Sequence, residues 1–408
     1  MKKVIKLLFL LSIIPGMSNT KINTQSNIEK GYVLNTQKSA PSKYGRVHSE
    51  KQISFQNKTS NVRKARQATL PSSYSAVDQG YITSVKNQYN DGTCWTFAAS
   101  AASEASLIKN NGFNKNSINL SELHLAYFTY NNAYDELGLL SGDSYTLTSD
   151  SYLDFGGINY NSMLTYARWT GPADEGKNTN YTYKSNNKSF KPSSTSEAYT
   201  LNEAHLKDCY IIDTSDISLM KEMILEYGAG DFGYYHDDND RYFNDTYDSY
   251  CYVQSVNTSS SRFNWANHEV TVVGWDDNFS KTNFNSASRP TNNGAWLVKN
   301  SWGASWGKNG YFWLSYEDSS LIAEPTAFYS FDTKDHYEKN YQYDGTSDFY
   351  AEYSDNDNEG GYTGGGYMAN VFLAQDNENV GAVTFVSFDE NIKYDIYVYD
   401  NVTSTPTS

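Results

Sequence analysis

The apolar pattern of this chain changes period partway along, and that change restricts the folds open to it. Cys94 to Lys109 carries an Ala, Phe and Leu face at helical spacing, and Asn110-Asn111-Gly112 supplies a stop signal. Ser121 is placed to cap a helix that opens at Leu120-Ser121-Glu122. Helical spacing returns after Gly156-Gly157, through Met163, Leu164 and Ala167, and again from Ile217 to Tyr227. Then the period shortens. Val270 to Trp275, Ala295 to Lys299 and Gly310 to Ser315 are β-branched or aromatic runs separated by Gly and Asn turns. Helices followed by strands predict an α+β unit whose two lobes meet at a cleft. Beyond Phe331 a second unit is expected. Its strands, near Tyr367 to Ala374, Val380 to Phe388 and Tyr394 to Tyr399, have the spacing of a β-sandwich. The sequence ends soon after the last of these, so this unit is expected to be incomplete here.

The first residues address the compartment. Lys2, Lys3 and Lys6 precede an apolar run from Leu7 to Ile14, followed by Pro15, Gly16 and small polar residues. That order predicts a secretory signal peptide over residues 1–19, because the run is too short to span a bilayer. A secreted or cell-surface location follows, with no transmembrane segment. Residues 20–67 are rich in Ser, Asn, Gln and Lys and end in the basic cluster Arg63, Lys64 and Arg66. They read as a propeptide or flexible leader with a processing site, and equally as a plain linker. The main unit is then expected over 68–330 and the second over 331–408. A formal charge of −15 offers no basic stripe to displace counterions from phosphates, which argues against a nucleic-acid partner.

Three cysteines, Cys94, Cys209 and Cys251, leave an odd thiol in an oxidising compartment. Pairing of Cys209 with Cys251 would leave Cys94 for chemistry, and the sequence leaves that pairing open. Cys94 lies at the first turn of a long helix, where unsatisfied N–H groups and the positive end of the macrodipole favour thiolate. A nucleophile needs a base. His48 lies in the leader and His336 at the junction between units, His205 and His236 are expected to face solvent from polar loops, and His124 sits on a helix. Only His268 closely precedes an apolar strand that can hold an imidazole rigidly. Asn300, which ends another strand in Asn300-Ser301-Trp302-Gly303, can accept the second imidazole N–H and fix the tautomer. An indole beside that bond would keep water from it. Dispersed cysteines and histidines offer no metal-ligand spacing, and no cofactor is implied.

With these residues in view, the chain resembles the papain and cathepsin family of cysteine peptidases from about Leu70 to Tyr316. The resemblance rests on ordered blocks. These are Val85 to Trp95 with Gln88 six residues before Cys94, then Leu120-Ser121-Glu122, Gly156-Gly157, Asn267-His268-Glu269-Val270, and Asn300 to Gly303 with Trp306-Gly307 and Gly310-Tyr311. It implies a papain-like two-lobe fold, a helical lobe plus a β-barrel lobe, followed by the start of a β-sandwich domain. It also implies a Cys94, His268, Asn300 triad, with Gln88 and the Cys94 backbone N–H binding the oxyanion. Gly156 and Gly157 would receive extended substrate, with Asn267 and Trp302 beside it, and the substrate would be a peptide or protein. The tail, through Tyr337 to Gly345 and the strands after it, resembles the lectin-like sandwich that follows the peptidase in some bacterial members, which implies a glycan partner.

Departures from the family pattern are informative. The usual cysteine three residues before the nucleophile is Asp91 here, so the lobe disulfide is absent, and Tyr89 stands where Gly usually follows the glutamine. His268 and Asn300 lie farther from Cys94 than the about 130–150 residues usual in the family. Polar insertions are expected to absorb the excess. Glu269 stands near the pocket for the second substrate side chain; it either favours basic residues there or faces solvent from its strand. Asp355-Asn356-Asp357-Asn358-Glu359-Gly360 reads as an acidic turn, since Gly366 stands where a calcium loop needs its last glutamate. Two alternatives to a hydrolase are a catalytically silent adhesion or glycan-binding protein and a transpeptidase using the same acyl-enzyme.

Overall fold

The first long helices precede most of the strands of the sheet on which they pack. The chain's computed structural model describes residues 70–131, 152–187, 190–253, 266–322, 324–342, 372–384 and 396, and the backbone alone of 3–8, 21–22 and 397. In chain order the elements are β1 (Lys3–Leu8), β2 (Lys21–Ile22), β3 (Ser73–Ser75), α1 (Cys94–Asn111), α2 (Glu122–Tyr130), α3 (Asn159–Ala167) and α4 (Glu197–Thr200). Then follow β4 (Ala204–Asp213), α5 (Ile217–Tyr227), β5 (Gly230–Tyr234), β6 (Phe243–Asn244), β7 (Ser249–Tyr250), β8 (His268–Asp276), β9 (Ala295–Lys299), β10 (Tyr311–Ser315) and β11 (Pro325–Thr333). The last are β12 (Lys339–Tyr341), β13 (Glu378–Thr384) and β14 (Ile396–Tyr397).

Helix α1 is the central element. Every residue from Cys94 to Leu107 is buried, which suits a helix rich in Ala and Ser that other elements enclose on all sides. Gly112 ends it in the left-handed region at φ 74°, a conformation glycine adopts without steric cost. At α2 the Ser121 hydroxyl accepts the His124 N–H at 3.0 Å, the cap expected from sequence. The main sheet runs β4-β11-β5-β8-β9-β10-β7-β6, with β3 paired to β8.

Among the described residues, two large apolar cores result. One, around Trp95, Leu123, Tyr130, Tyr166 and Tyr329, holds α1, α2 and α3 together. The other, around Phe232, Val270, Trp275, Trp296 and Phe312, fills the strand-rich lobe.

Several expectations change. Strands β4, β5 and β11 had no clear signal, and β11 inserts between the other two and continues to Thr333. His205 does not face solvent: it lies on β4 stacked 3.8 Å from the Trp169 ring. Neither Cys209 nor Cys251 is in a disulfide. The acidic turn expected at 355–360, the 20–67 leader apart from β2, and most of the second unit lie outside the described residues, and His48 with the leader. Strands β12 and β13 of that unit flank β1 in a three-stranded sheet, and β14 pairs with β2; β1 and β2 come from the first 22 residues.

Candidate active site

The site is built where the strand ends meet the loop before α1. Strands β8 and β9 are antiparallel, with Thr271 opposite Lys299 and Val272 opposite Val298. Carried on in that register, Trp302 falls opposite His268. The two rings stack at 4.6 Å with 16° between their planes. His268 is fully buried, and its Nε2 lies 2.8 Å from Asn300 Oδ1. The Ser301 N–H donates to that same Oδ1 at 2.8 Å, which identifies it as the oxygen. Nε2 therefore carries the hydrogen, and Nδ1 is the basic nitrogen.

A short bridge joins this turn to the loop that carries Gln88. Gln88 N–H donates to Ser301 O at 2.8 Å, Gly303 N–H donates to Lys86 O at 3.0 Å, and Asn87 bridges Trp302. The Gln88 side chain is buried and held at both ends: Ser301 Oγ donates to its Oε1 at 2.7 Å, and its Nε2 donates to Asp91 O at 2.9 Å. Six residues on, Cys94 is the first residue of α1 and is fully buried. No acidic side chain stands in that first turn to oppose the dipole's preference for thiolate. The Thr271 hydroxyl donates to the Ala98 carbonyl at 3.2 Å, which docks the start of α1 on β8.

Two of the thiols are raised by burial. Burial, then Asp231, pushes Cys209 well above the ordinary thiol value, and burial with Asp318 does the same to Cys251. Both are thereby kept protonated and inert. Burial pushes the His268 imidazole down to about 3, against the opposing pull of the Asn300 hydrogen bond, and His236 lowers it further. Burial by itself thus favours the uncharged imidazole. Only a negative partner would stabilise the imidazolium.

Beneath the site lies a buried ion network. Lys86 donates to Glu122 at 2.8 Å and to the Leu120 carbonyl at 2.6 Å, with Glu104 at 3.6 Å and Glu175 at 4.0 Å. Lys299, next to Asn300, donates to Thr83 at 3.0 Å, and Thr83 in turn donates to Glu104 on α1. Burial pushes Glu122 up to about 7 even though Lys86 opposes it, and burial lowers Lys299 to about 8. These bonds tie the Gln88 loop, α1, α2 and the end of β9 into one polar frame.

Other expected site residues are placed as follows. Gly157 lies so close to Trp95 that a Cβ there would meet the indole at 2.5 Å, and Gly156 adopts φ 76°. The Tyr130 hydroxyl donates to the Gly156 carbonyl at 2.5 Å. Asn267 commits its side-chain amide to the backbone of His236, accepting at 2.7 Å and donating at 2.8 Å. Glu269 does not face solvent. It is 1% exposed, and its Oε1 accepts the Asn159 N–H at 3.0 Å. His236, expected to be solvent-facing, is buried edge-on to Trp302 at 4.8 Å, with Nδ1 2.9 Å from the Tyr234 hydroxyl. No sequence signal marked it, because its neighbours come from other segments. Among the described residues no group of three or more His, Cys, Asp or Glu could hold a metal, and no helix is long and apolar enough to cross a membrane.

A cysteine opening a buried helix, an imidazole oriented by a carboxamide and a side-chain amide clamped beside them are the parts of a two-lobe cysteine peptidase. The model of the papain family of cysteine proteases matches residues 70–330, and the chain belongs to that family. A lectin-like domain model matches 341–408. Cysteine proteinase 2 of Entamoeba histolytica is 27% identical over 256 residues, covering 61% of this chain and 65% of that protein. Cathepsin K of Mus musculus is 27% identical over 248 residues, 60% of each. Among solved structures, the clostridial cysteine protease Cwp84 after propeptide cleavage has 31% identity and a TM-score of 0.51, covering 65% of this chain and 59% of that one. The cysteine protease and lectin-like domains of Cwp84, a surface layer associated protein of Clostridium difficile, give 27% and 0.52, covering 72% and 57%. The chain thus spans less than two thirds of the length of each of these relatives.

Proposed function

We propose that the chain is an exported cysteine peptidase that hydrolyses peptide bonds through Cys94, His268 and Asn300. The single observation that supports this most is the shared Asn300 oxygen, which makes His268 Nδ1 the base. In this reading the Cys94 thiolate, paired with imidazolium His268, attacks the substrate carbonyl carbon. The Cys94 backbone N–H and the Gln88 amide stabilise the oxyanion. The C–N bond breaks as Nδ1 gives its proton to the leaving amine, leaving a thioester. Water, deprotonated by Nδ1, then releases the acid and restores the thiol. The ion pair forms against the burial that depresses His268, so the thiolate charge is what stabilises the imidazolium.

Gly156 and Gly157 would receive extended substrate, with Trp302 shielding the His268–Asn300 bond. The lectin-like unit would act as a glycan-binding accessory, as the domain match suggests. Labelling with a thiol-reactive epoxide and mapping the modified residue is the test. Cys94 is expected to carry the label, and Cys94→Ala to lose hydrolysis. A label on Cys209 or Cys251, or hydrolysis surviving in Cys94→Ala, would overturn the proposal.

A further inference from the structure

The loop before the nucleophile lacks the lobe disulfide, and a tyrosine from a distant segment holds it instead. The Tyr183 hydroxyl donates to Asp91 Oδ2 at 2.8 Å. Its one hydrogen being used there, it accepts from Thr93 Oγ1 at 2.7 Å. The two bonds straddle Gly92 and fix the residues immediately ahead of Cys94. The Tyr183 ring also packs edge-on against Phe97 of α1, with centroids 4.8 Å apart. Burial, then Asp91, holds the phenol well above its ordinary value, so it remains a donor throughout neutral and mildly alkaline pH.

Asp91 is the link to the chemistry. It is 5% exposed, its N–H donates to Gln88 O at 3.3 Å, and its carbonyl accepts one hydrogen of Gln88 Nε2 at 2.9 Å. A carboxamide is planar. Once Ser301 fixes Oε1 and the Asp91 carbonyl fixes one N–H, the direction of the second N–H is set. Any shift of Asp91 swings that N–H, and oxyanion stabilisation depends on donors aimed before the charge develops.

We propose that Tyr183 is a positioning residue for the oxyanion site, acting through Asp91 on the Gln88 amide. This rests on the reading of Gln88 as an oxyanion donor given above.

Tyr183→Phe keeps the ring against Phe97 and removes only the hydroxyl. In the full chain it is expected to lower kcat about tenfold with KM little changed, in line with loss of a hydrogen bond to a charged group. The rate of Cys94 alkylation by iodoacetamide, which uses no oxyanion site, is expected to stay at the wild-type value. In a Gln88→Ala background the same substitution is expected to cost no further activity. Asp91→Asn, which weakens the Tyr183 bond without removing it, is expected to give a smaller loss of the same kind. It carries the test if Tyr183→Phe folds poorly. Equal losses in both backgrounds, an alkylation rate that falls in step with kcat, or no loss at all would overturn the inference. A Gln88→Ala enzyme as active as wild type would instead remove the oxyanion reading itself, and this inference with it.

Discussion

Asn300 Oδ1 accepts from two buried donors at once, His268 Nε2 at 2.8 Å and the Ser301 N–H at 2.8 Å. Asn300→Ala strands both. The expected stability loss is about 1–3 kcal/mol, the cost of unmet buried donors. It also frees the imidazole to adopt the other tautomer, so kcat is expected to fall on the order of 10–10² fold. Urea denaturation beside steady-state kinetics checks both. A variant that loses stability but keeps kcat would show that the bond serves the fold alone.

Gly157 is pressed against the Trp95 indole, and Trp95 is fully buried with its ring edge-on to Tyr130 at 5.9 Å. Neither ring has room to retreat. Gly157→Ala must therefore displace the 156–157 backbone, at a cost of about 1–3 kcal/mol for overpacking. If this backbone receives substrate, KM for extended peptides rises while Cys94 alkylation continues at its normal rate. The melting temperature and KM across a peptide length series check this.

Glu269 holds the first residue of α3 through the Asn159 N–H at 3.0 Å, two residues after the glycine pair. Its carboxylate faces a helix start, where negative charge is favourable. Glu269→Ala is expected to destabilise the fold by about 1–2 kcal/mol. It is also expected to reduce the ratio of kcat/KM for peptides with Arg over Leu at the second position from the cleaved bond. An unchanged ratio would confine Glu269 to its structural bond.

Much of the fold was legible where period and stop signals agreed. Ile217–Tyr227 and Ala295–Lys299 form as their spacing predicts, and α1 ends where Gly112 permits the left-handed turn. Other strands carried no such signal. β5 is Gly-Asp-Phe-Gly-Tyr, with two glycines and a charge, and it exists because β8 and β11 flank it. β4 interrupts its apolar run with Lys207 and Asp208, which are exposed. In the candidate site, Gln88, Cys94, His268 and Asn300 could be found because each stands in a distinctive block. Tyr183 and His236 could not. Their significance lies in partners, Asp91 and Trp302, that only the folded chain brings to them.

His124 offers a pH test that needs no substrate. It is buried on α2 with Nε2 3.0 Å from the Glu197 carbonyl, and burial lowers its pKa from 6.5 to about 4. Below pH 6.5 the unfolded chain takes up a proton that the folded chain refuses until about pH 4. Stability from this group is therefore complete above 6.5, falls as pH drops toward 4, and levels off below that. The loss across the window is about 3 kcal/mol, at 1.36 kcal/mol per unit. His268 acts in the same direction, down to about 3. Glu122 and Asp318 act oppositely, because burial raises them to about 7 and about 6 and they gain protons more readily when folded. The whole-protein curve mixes these effects, so the informative quantity is the difference between His124→Gln and wild type. From pH 7 to pH 4 the variant is expected to gain about 3 kcal/mol on wild type in urea denaturation. Parallel curves would mean that the folded protein does not hold this imidazole neutral.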